Sequence, residues 1–133
     1  MKLSLVSIEK NGIVRVAAEG NITTQDFQSA DNKNPLEKLL GVTWFTNKVM
    51  LNLDRTDYID SSAIGWLIGS HRAFKEGGGM LVVHSIQPSV RQILDLLKIG
   101  KVVPLVPDEN EARRMISGES PSPATNSAGG GAR

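Results

Sequence analysis

Residues 48–65 read KVMLNLDRTDYIDSSAIG, and this stretch contains the step from strand to helix that decides the fold. Lys48–Leu53 is a short apolar run, which is typical of a strand buried on both faces of a sheet. From Ser61 to Lys75 the apolar residues recur at the spacing of an amphipathic helix. A buried strand followed by an acidic turn and a helix predicts one half of a β-α-β unit.

Strands and helices alternate on both sides of this unit. The sequence predicts strands at Leu3–Ile8, Ile13–Ala18, Met80–His84 and Val102–Val106, a hairpin turn at Lys10-Asn11-Gly12, and helices at Thr23–Ala30, Leu36–Leu40, Pro88–Leu97 and Asp108–Ile116. Asp108 is the expected N-cap of the last helix. This order predicts an α/β fold, in which a mixed sheet of about five strands packs against about four helices through right-handed crossovers.

The composition of the 133 residues excludes several classes of protein. The formal net charge is +1, which argues against a surface built to bind phosphate backbones. The absence of cysteine excludes disulfides, thiolate metal sites and cysteine nucleophiles. No apolar run approaches the roughly 18 residues of a membrane span, and the N-terminus lacks the pattern of a signal peptide. We therefore expect a cytoplasmic protein that does not bind nucleic acid directly.

The end of the chain differs in composition from the rest. Residues 117–133 read SGESPSPATNSAGGGAR and contain almost nothing that a core could bury. Such a segment cannot offset the entropy lost on ordering, so we expect a disordered tail. The predicted folded domain is residues 1–116.

The helix that follows the two serines has one apolar face and one exception to it. Ile64, Leu67 and Ile68 share the face expected to dock on the sheet, and His71 continues it, which favours a structural histidine. Trp66 lies roughly 160–200° away from that face, at about 100° per residue. Either another part of the chain covers Trp66, or it is exposed and contacts a partner, since Trp is common at interface hot spots.

Asp60, Ser61 and Ser62 all suit the start of a helix, because each can accept a hydrogen bond from a free N–H group of the first turn. One cap is enough, so the sequence predicts that at least one serine hydroxyl is presented to solvent. A phosphate there would meet the positive end of the helix dipole, yet would add about −1.5 to −2 charges beside Asp54, Asp57 and Asp60. This favours a switch in which a partner fits only the neutral hydroxyl.

Three stretches of the chain resemble the STAS domain, and in particular the bacterial anti-sigma factor antagonists. They are VMLNLDRTDYIDSSAIGWLIG (49–69), KEGGGMLVVHSIQPSVRQILDLLKIGKVVPLV (75–106) and, more weakly, IVRVAAEGNIT (13–23). Together they extend over nearly all of residues 1–116. The most specific part is the strand–Asp-Ser-Ser–helix piece, followed by a glycine turn, a strand and a PSVRQIL helix. The resemblance implies the layered STAS fold.

The resemblance also implies a regulator without catalytic activity, metal or cofactor. In that family the unphosphorylated protein binds an anti-sigma factor with serine kinase activity and frees a sigma factor; phosphorylation releases it, and a phosphatase reverses the change. The acceptor serine follows the aspartate of the motif, which corresponds to Ser61 after Asp60, with Ser62 as the alternative. We expect a partner surface made of residues around this turn: Thr23, Arg55, Thr56, Asp60, Ser61, Ser62 and Trp66.

Two positions depart from the family pattern. The residue after the serines is commonly Gly and is Ala63 here, which favours helix by about 0.8–1.0 kcal/mol and is expected to stiffen the helix start. The upstream Gly-Glu-Leu-Asp turn reads Gly20-Asn21-Ile22-Thr23, without the acidic pair. The segment Asn32–Thr46, with Trp44 and Phe45, is longer than the family pattern predicts. It is either a cover over the sheet edge or additional partner surface.

Two other classes of function compete with this hypothesis. The alternative that other STAS domains suggest is a non-switching scaffold, or an adaptor subunit of a stress-signalling complex or a lipid-transport ATPase. A serine hydrolase would need a nearby histidine, but His71 is about 15 Å along the helix and the sequence lacks a G-x-S-x-G elbow. The two histidines do not have metal-binding spacing. Gly77-Gly78-Gly79 lacks the Lys-Ser/Thr of a phosphate loop and is expected to be a turn.

Overall fold

The structure is a computed structural model of the chain, and it describes residues 1–28 and 30–118. Within these residues the secondary structure alternates as expected. The elements are β1 (Lys2–Ile8), β2 (Ile13–Glu19), α1 (Pro35–Leu40), β3 (Lys48–Arg55), α2 (Ser61–Gly77), β4 (Met80–His84), α3 (Pro88–Leu96), β5 (Leu105–Val106) and α4 (Glu109–Ser117), with 3-10 turns at Thr24–Phe27, Trp44–Thr46 and Ile99–Lys101. The prediction of a mixed α/β fold with about five strands and four helices is confirmed.

The five strands form one sheet in the order β1-β2-β3-β4-β5. β1 and β2 are antiparallel, and the remaining neighbours are parallel. The hairpin turn at Lys10-Asn11-Gly12 is confirmed: Gly12 has φ +87 and its N–H donates to the carbonyl of Glu9 at 2.9 Å. In the middle of the sheet Val49, Met50 and Leu51 are all inaccessible to solvent, so β3 is buried on both faces, as its composition predicted.

Helices cover the two faces of the sheet unequally. The larger core lies on the face covered by α2 and α3, where residues such as Leu51, Leu67 and Leu94 are fully buried. On the other face, among the described residues, α4 supplies Ala112 and Ile116 to a smaller core. Asp108 caps α4, as predicted, by accepting a hydrogen bond from the N–H of Glu111 at 2.9 Å.

Several predicted boundaries are wrong. The helix expected at Thr23–Ala30 is a single 3-10 turn, Thr24–Phe27. The strand expected at Val102–Val106 is shortened to β5, because residue 104 is a proline without an N–H group and the preceding turn extends to Lys101. α4 continues through Ser117, the first residue of the expected tail, and residues 119–133 lie outside the described part of the chain.

The buried face of α2 is rotated from the predicted one, and Trp66 belongs to it. The buried side chains are Ala63, Trp66, Leu67, Ser70 and Phe74, whereas Ile64, Ile68 and His71 are only half-buried. Trp66 is 8% exposed, so the expectation of an exposed Trp is wrong, and the alternative that another element covers it is correct.

The segment before β3 provides this cover. Asn34 caps α1 with its Oδ1, which accepts from the N–H of Leu36 at 2.9 Å and also from the indole Nε1 of Trp66 at 2.9 Å. Its Nδ2 donates to the Ser70 hydroxyl at 3.0 Å. Further along, the Trp44 ring packs edge-on against Phe74 with ring centroids 5.2 Å apart. These contacts place the segment over α2, and α1 also contacts the edge strand β1.

The run Gly77-Gly78-Gly79 is a structural turn, as expected. Gly78 ends α2 in the left-handed conformation at φ +89. A Cβ on Gly79 would collide with the backbone carbonyls of Phe45 and Asn47, so only glycine fits where the covering segment approaches the end of α2. Among the described helices, none has the length and hydropathy needed to cross a membrane.

Candidate functional site

The exits of β2 and β3 lie at the same edge of the sheet because these strands are parallel. Beyond the strands their loops stay paired through an isolated bridge between Ile22 and Ile59. The N–H of Ile22 donates to the Tyr58 carbonyl at 3.0 Å, and the N–H of Asp60 donates to the Ile22 carbonyl at 3.2 Å. This bridge sets the loop after β2 beside the first residue of α2.

Asp60 is the N-cap of α2 and the centre of the site. Its Oδ1 accepts from the N–H groups of Ser62 at 2.9 Å and Ala63 at 3.2 Å. Its Oδ2 accepts from the N–H of Thr24 at 2.9 Å and from the Thr24 hydroxyl at 3.2 Å. Desolvation alone would raise the pKa of Asp60, but these four hydrogen bonds outweigh it and lower the pKa below the usual aspartate value. Asp60 is therefore a carboxylate at neutral pH.

The two serines have different environments although they are neighbours. Ser62 is half-buried, and its hydroxyl lies 2.7 Å from the hydroxyl of Thr24. Ser61 is exposed at the first position of α2, and its hydroxyl makes no hydrogen bond to the described residues. Capping is done by Asp60, so Ser61 is the free hydroxyl that the redundancy of capping residues predicted.

Contacts with α3 and β2 hold the loop that leads to Asp60. The Gln87 side chain donates to the Asp54 carbonyl at 2.6 Å, and the Ser89 hydroxyl donates to the Asp57 carbonyl at 3.1 Å. The buried Thr56 hydroxyl donates to the Ala18 carbonyl at 3.3 Å. The loop therefore presents Ser61 on a fixed support and not on a freely moving segment.

Not all of the residues expected on the partner surface are accessible. Thr56 is fully buried and Trp66 is 8% exposed, so both support the site from within, and a partner cannot contact them directly. Thr23 is half-buried, and it is the next residue, Thr24, that reaches Asp60. Arg55 is exposed, and its guanidinium is paired with Glu19 at 3.3 Å.

Two residues of the site were missed from the sequence. Thr24 was not assigned to the partner surface, because its contact with Asp60 spans 36 positions along the chain. Tyr58 is 50% exposed, three residues before Ser61, and no periodic pattern indicated it. The signal that could have found Thr24 is the parallel pairing of β2 and β3, since it brings the ends of both strands to one edge.

Ala63, which stands where the family commonly has glycine, lies in the core. Its side chain is fully buried in the larger core, under the first turn of α2. The methyl group that distinguishes it from glycine therefore points away from the surface that carries Ser61.

The histidines do not join the site. The Nδ1 of His84 lies 2.9 Å from the Ser85 hydroxyl, and His84 is buried on the face of the sheet that also carries Val82. Burial, together with the charge of Lys75, lowers the pKa of the half-buried His71, whose Nδ1 has no hydrogen-bond partner among the described residues. Within residues 1–28 and 30–118, no group of three or more His, Asp or Glu side chains is arranged to hold a metal ion.

Known proteins resemble this chain in sequence and in fold. An anti-sigma F factor antagonist from Paenibacillus polymyxa is 28% identical over 64 residues, which is 48% of this chain and 55% of that protein. The match thus spans about half the length of that relative.

Solved structures extend the likeness to nearly the whole fold. The anti-sigma factor antagonist SpoIIAA in its unphosphorylated form has a TM-score of 0.61 and 19% identity, and the alignment covers 90% of this chain and 98% of that one. An anti-sigma factor antagonist from Mycobacterium paratuberculosis also has a TM-score of 0.61 at 19% identity, covering 87% and 95%. Phosphorylated SpoIIAA from Bacillus has a TM-score of 0.53 at 20% identity, covering 86% and 97%.

The family profile of the STAS domain matches residues 5–112, from the first strand to the last helix. The match includes the bridge between Ile22 and Ile59, the cap at Asp60 and both serines. The chain therefore belongs to the STAS domain family.

Proposed function

We propose that this protein is an anti-sigma factor antagonist that is switched by phosphorylation of Ser61. In its unphosphorylated form it binds an anti-sigma factor with serine kinase activity, so that a sigma factor is freed. The kinase phosphorylates Ser61 and thereby releases the antagonist, and a phosphatase restores the binding form. This is a regulatory role in the cytoplasm, and the protein performs no catalysis of its own.

The observation that carries the proposal is the difference between the two hydroxyls. Ser61 is exposed and has no hydrogen-bond partner among the described residues, whereas the hydroxyl of Ser62 is held by Thr24 at 2.7 Å. A kinase must bring the acceptor oxygen in line with the γ-phosphate of ATP, which an unpartnered side chain on a fixed turn allows. The name of the Paenibacillus relative and the phosphorylated form of SpoIIAA support the same function.

Charge around Ser61 explains how a phosphate would act. Asp60 is ionised beside it, and Asp57 lies in the same exposed loop. A phosphoserine adds about −1.5 to −2 charges, so the turn would become strongly negative. The N–H groups of Ser62 and Ala63 are already bonded to Asp60, but the positive end of the α2 dipole still favours an anion at this position within the domain. A partner surface that had closed over the neutral hydroxyl would meet a dianion, and it would dissociate.

The departures from the family pattern do not block the surface around Ser61. The Ala63 methyl is in the core, so it does not obstruct a kinase at the turn. Asn21 is exposed where the pattern has an acidic residue, so the partner is expected to have fewer basic groups opposite this position. The exposed Tyr58 is the aromatic side chain nearest in sequence to Ser61 and is suited to anchor a partner.

The test uses the kinase that co-purifies with the chain from its native source. With ATP, the wild-type chain is expected to gain one phosphate and the matched control Ser62→Ala one, whereas Ser61→Ala should be modified only slowly, at Ser62, and far from completely. Binding is then measured for the unmodified and the phosphorylated chain, and we expect phosphorylation to weaken it at least tenfold. Full phosphorylation of Ser61→Ala, or equal binding of both forms, would contradict the proposal. Recovery of a transport ATPase or a large signalling assembly in place of a kinase would favour the scaffold role.

A further inference from the structure

We propose that Thr24 selects the phosphorylation site by holding Ser62 out of reach of the kinase, which leaves Ser61 as the acceptor. This inference rests on the proposed function and adds a specificity-determining residue to it. Thr24 lies in the 3-10 turn Thr24–Phe27, outside the Asp-Ser-Ser stretch. The three side chains of Thr24, Asp60 and Ser62, which we call the hydroxyl clamp, are joined by hydrogen bonds of 2.7 and 3.2 Å.

The direction of these hydrogen bonds follows from the charge of Asp60. A carboxylate only accepts, so the single hydroxyl proton of Thr24 is donated to the Asp60 Oδ2. The Thr24 oxygen is then an acceptor for its other neighbour, and the Ser62 hydroxyl donates its proton to it across 2.7 Å. Ser62 is thus fixed in a rotamer whose proton faces the 3-10 turn.

Phosphoryl transfer requires the opposite orientation. The serine oxygen forms a bond to the γ-phosphorus of ATP, the bond from that phosphorus to the β–γ bridging oxygen breaks, and ADP leaves. The hydroxyl proton passes to the catalytic base of the kinase. The Ser62 hydroxyl would have to break its hydrogen bond to Thr24 and turn outward before it could react. The Ser61 hydroxyl has no such hydrogen bond to break.

The backbone holds Thr24 in place for this role. The Thr24 N–H donates to Asp60 at 2.9 Å, independently of its side chain. The neighbouring N–H, that of Thr23, donates to the Asp26 Oδ2 at 2.7 Å, and Ile22 is bridged to Ile59. Replacing the hydroxyl of Thr24 by a methyl therefore removes the clamp and leaves the surrounding backbone contacts intact. Thr24 is exposed, so Thr24→Val is expected to fold normally.

The experiment compares Ser61→Ala with the double variant Ser61→Ala/Thr24→Val, using the co-purified kinase, ATP and mapping of the phosphate by mass spectrometry. Release of one hydrogen bond is expected to raise the rate of phosphorylation at Ser62 about two- to tenfold. Thr24→Ser, which retains the hydroxyl, is the matched control and should leave Ser62 as slow as in Ser61→Ala. The rate at Ser61 in Thr24→Val alone corrects for any change in kinase docking.

A second measurement does not need the kinase. The side-chain couplings of Ser62 in solution NMR should report one rotamer in the wild-type chain and averaging in Thr24→Val. Equal rates at Ser62 with and without the Thr24 hydroxyl, or an unchanged rotamer, would overturn the proposal while Ser61 remained the acceptor. Absence of phosphate from every variant, the wild type included, would instead overturn the proposed function and this inference with it.

Discussion

The two ends of α2 are built for different purposes. At the first turn the side chains are polar and small, Asp60 supplies the cap, and Ser61 is open to solvent. From the second turn onward Trp66 and Phe74 are buried beneath residues 32–46, and Ser70 is 1% exposed. One helix thus carries an accessible hydroxyl in its first turn and, from Trp66 to Phe74, a buried aromatic stretch that we call its closed part.

This difference shows how a serine hydroxyl can remain accessible to solvent while the turn that carries it stays ordered. An unpartnered side chain contributes little to stability, and the turn that carries it must be held by other contacts. Here those contacts are the backbone bridge Ile22–Ile59 and the hydrogen bonds that Gln87 and Ser89 donate to the loop before α2. If the two parts are independent, substitutions in the closed part of α2 should alter stability without altering which serine is phosphorylated. Substitutions at the first turn should alter the phosphorylation and have little effect on stability.

The largest expected effect is that of Phe74→Ala. Phe74 is fully buried and contacts the Trp44 ring edge-on, so its truncation removes apolar contacts and leaves a cavity. We expect a loss of about 3–5 kcal/mol in the free energy of unfolding, measured by urea denaturation. Leu97→Ala, at a position that is 53% exposed, is the control and should change the free energy by less than about 0.5 kcal/mol.

The same variant tests the separation of the two ends. At a temperature where Phe74→Ala remains folded, Ser61 should be phosphorylated at the wild-type rate, because the loop before α2 is held by α3 and β2. Loss of phosphorylation in a folded sample would show that the packing of the closed part also determines the structure of the first turn.

The architecture was predictable because each element has a local signature. The apolar run of β3, the turn at Gly12 and the cap at Asp108 each require only a few neighbouring residues. The errors arose where distant segments decide the outcome. The buried face of α2 was assigned from its own periodicity, but residues 32–46 fold over it and bury Trp66.

The candidate site was predictable to a similar extent. Its position and its two serines follow from the strand–turn–helix pattern and from the redundancy of capping residues. The pattern could not separate Ser61 from Ser62, because the difference comes from Thr24, 38 positions away from Ser62. The burial of Thr56 is of the same kind, since its hydroxyl finds the Ala18 carbonyl in a neighbouring strand.

A smaller effect on stability is expected from Asn34, which joins the covering segment to α2. In Asn34→Ala the cap of α1 is lost, and the Trp66 indole N–H and the Ser70 hydroxyl remain buried without their partner. We expect a loss of about 1–3 kcal/mol, again measured by urea denaturation. Asn34→Asp keeps an acceptor for Leu36 and Trp66 and should recover part of this loss. A fully neutral Asn34→Ala would show that the segment is not anchored by these bonds.

The smallest effect concerns Asp60, and it is present at neutral pH and disappears as the pH is lowered. Hydrogen bonds from Thr24, Ala63 and Ser62, which together exceed the effect of desolvation, lower its pKa in the folded chain. Such a carboxylate stabilises the fold above its unfolded pKa of about 3.9, and this contribution is lost as the pH falls through the lower folded value. Asp60→Asn retains a capping oxygen but carries no charge.

The melting temperature of Asp60→Asn should therefore lie slightly below that of the wild-type chain at pH 7, and the gap should close below about pH 4. Glu9 and Glu109 also have lowered pKa values, the first chiefly through its hydrogen bond from Arg113, so both proteins lose stability in acid and only their difference isolates Asp60. In the Thr24→Val background one of the hydrogen bonds to the carboxylate is absent, and the gap at pH 7 should be smaller. A gap that stays constant from pH 7 to pH 3 would mean that the charge of Asp60 does not stabilise the turn. The first turn of α2 would then be held by backbone contacts alone, whereas the closed part of the helix is held by side-chain packing.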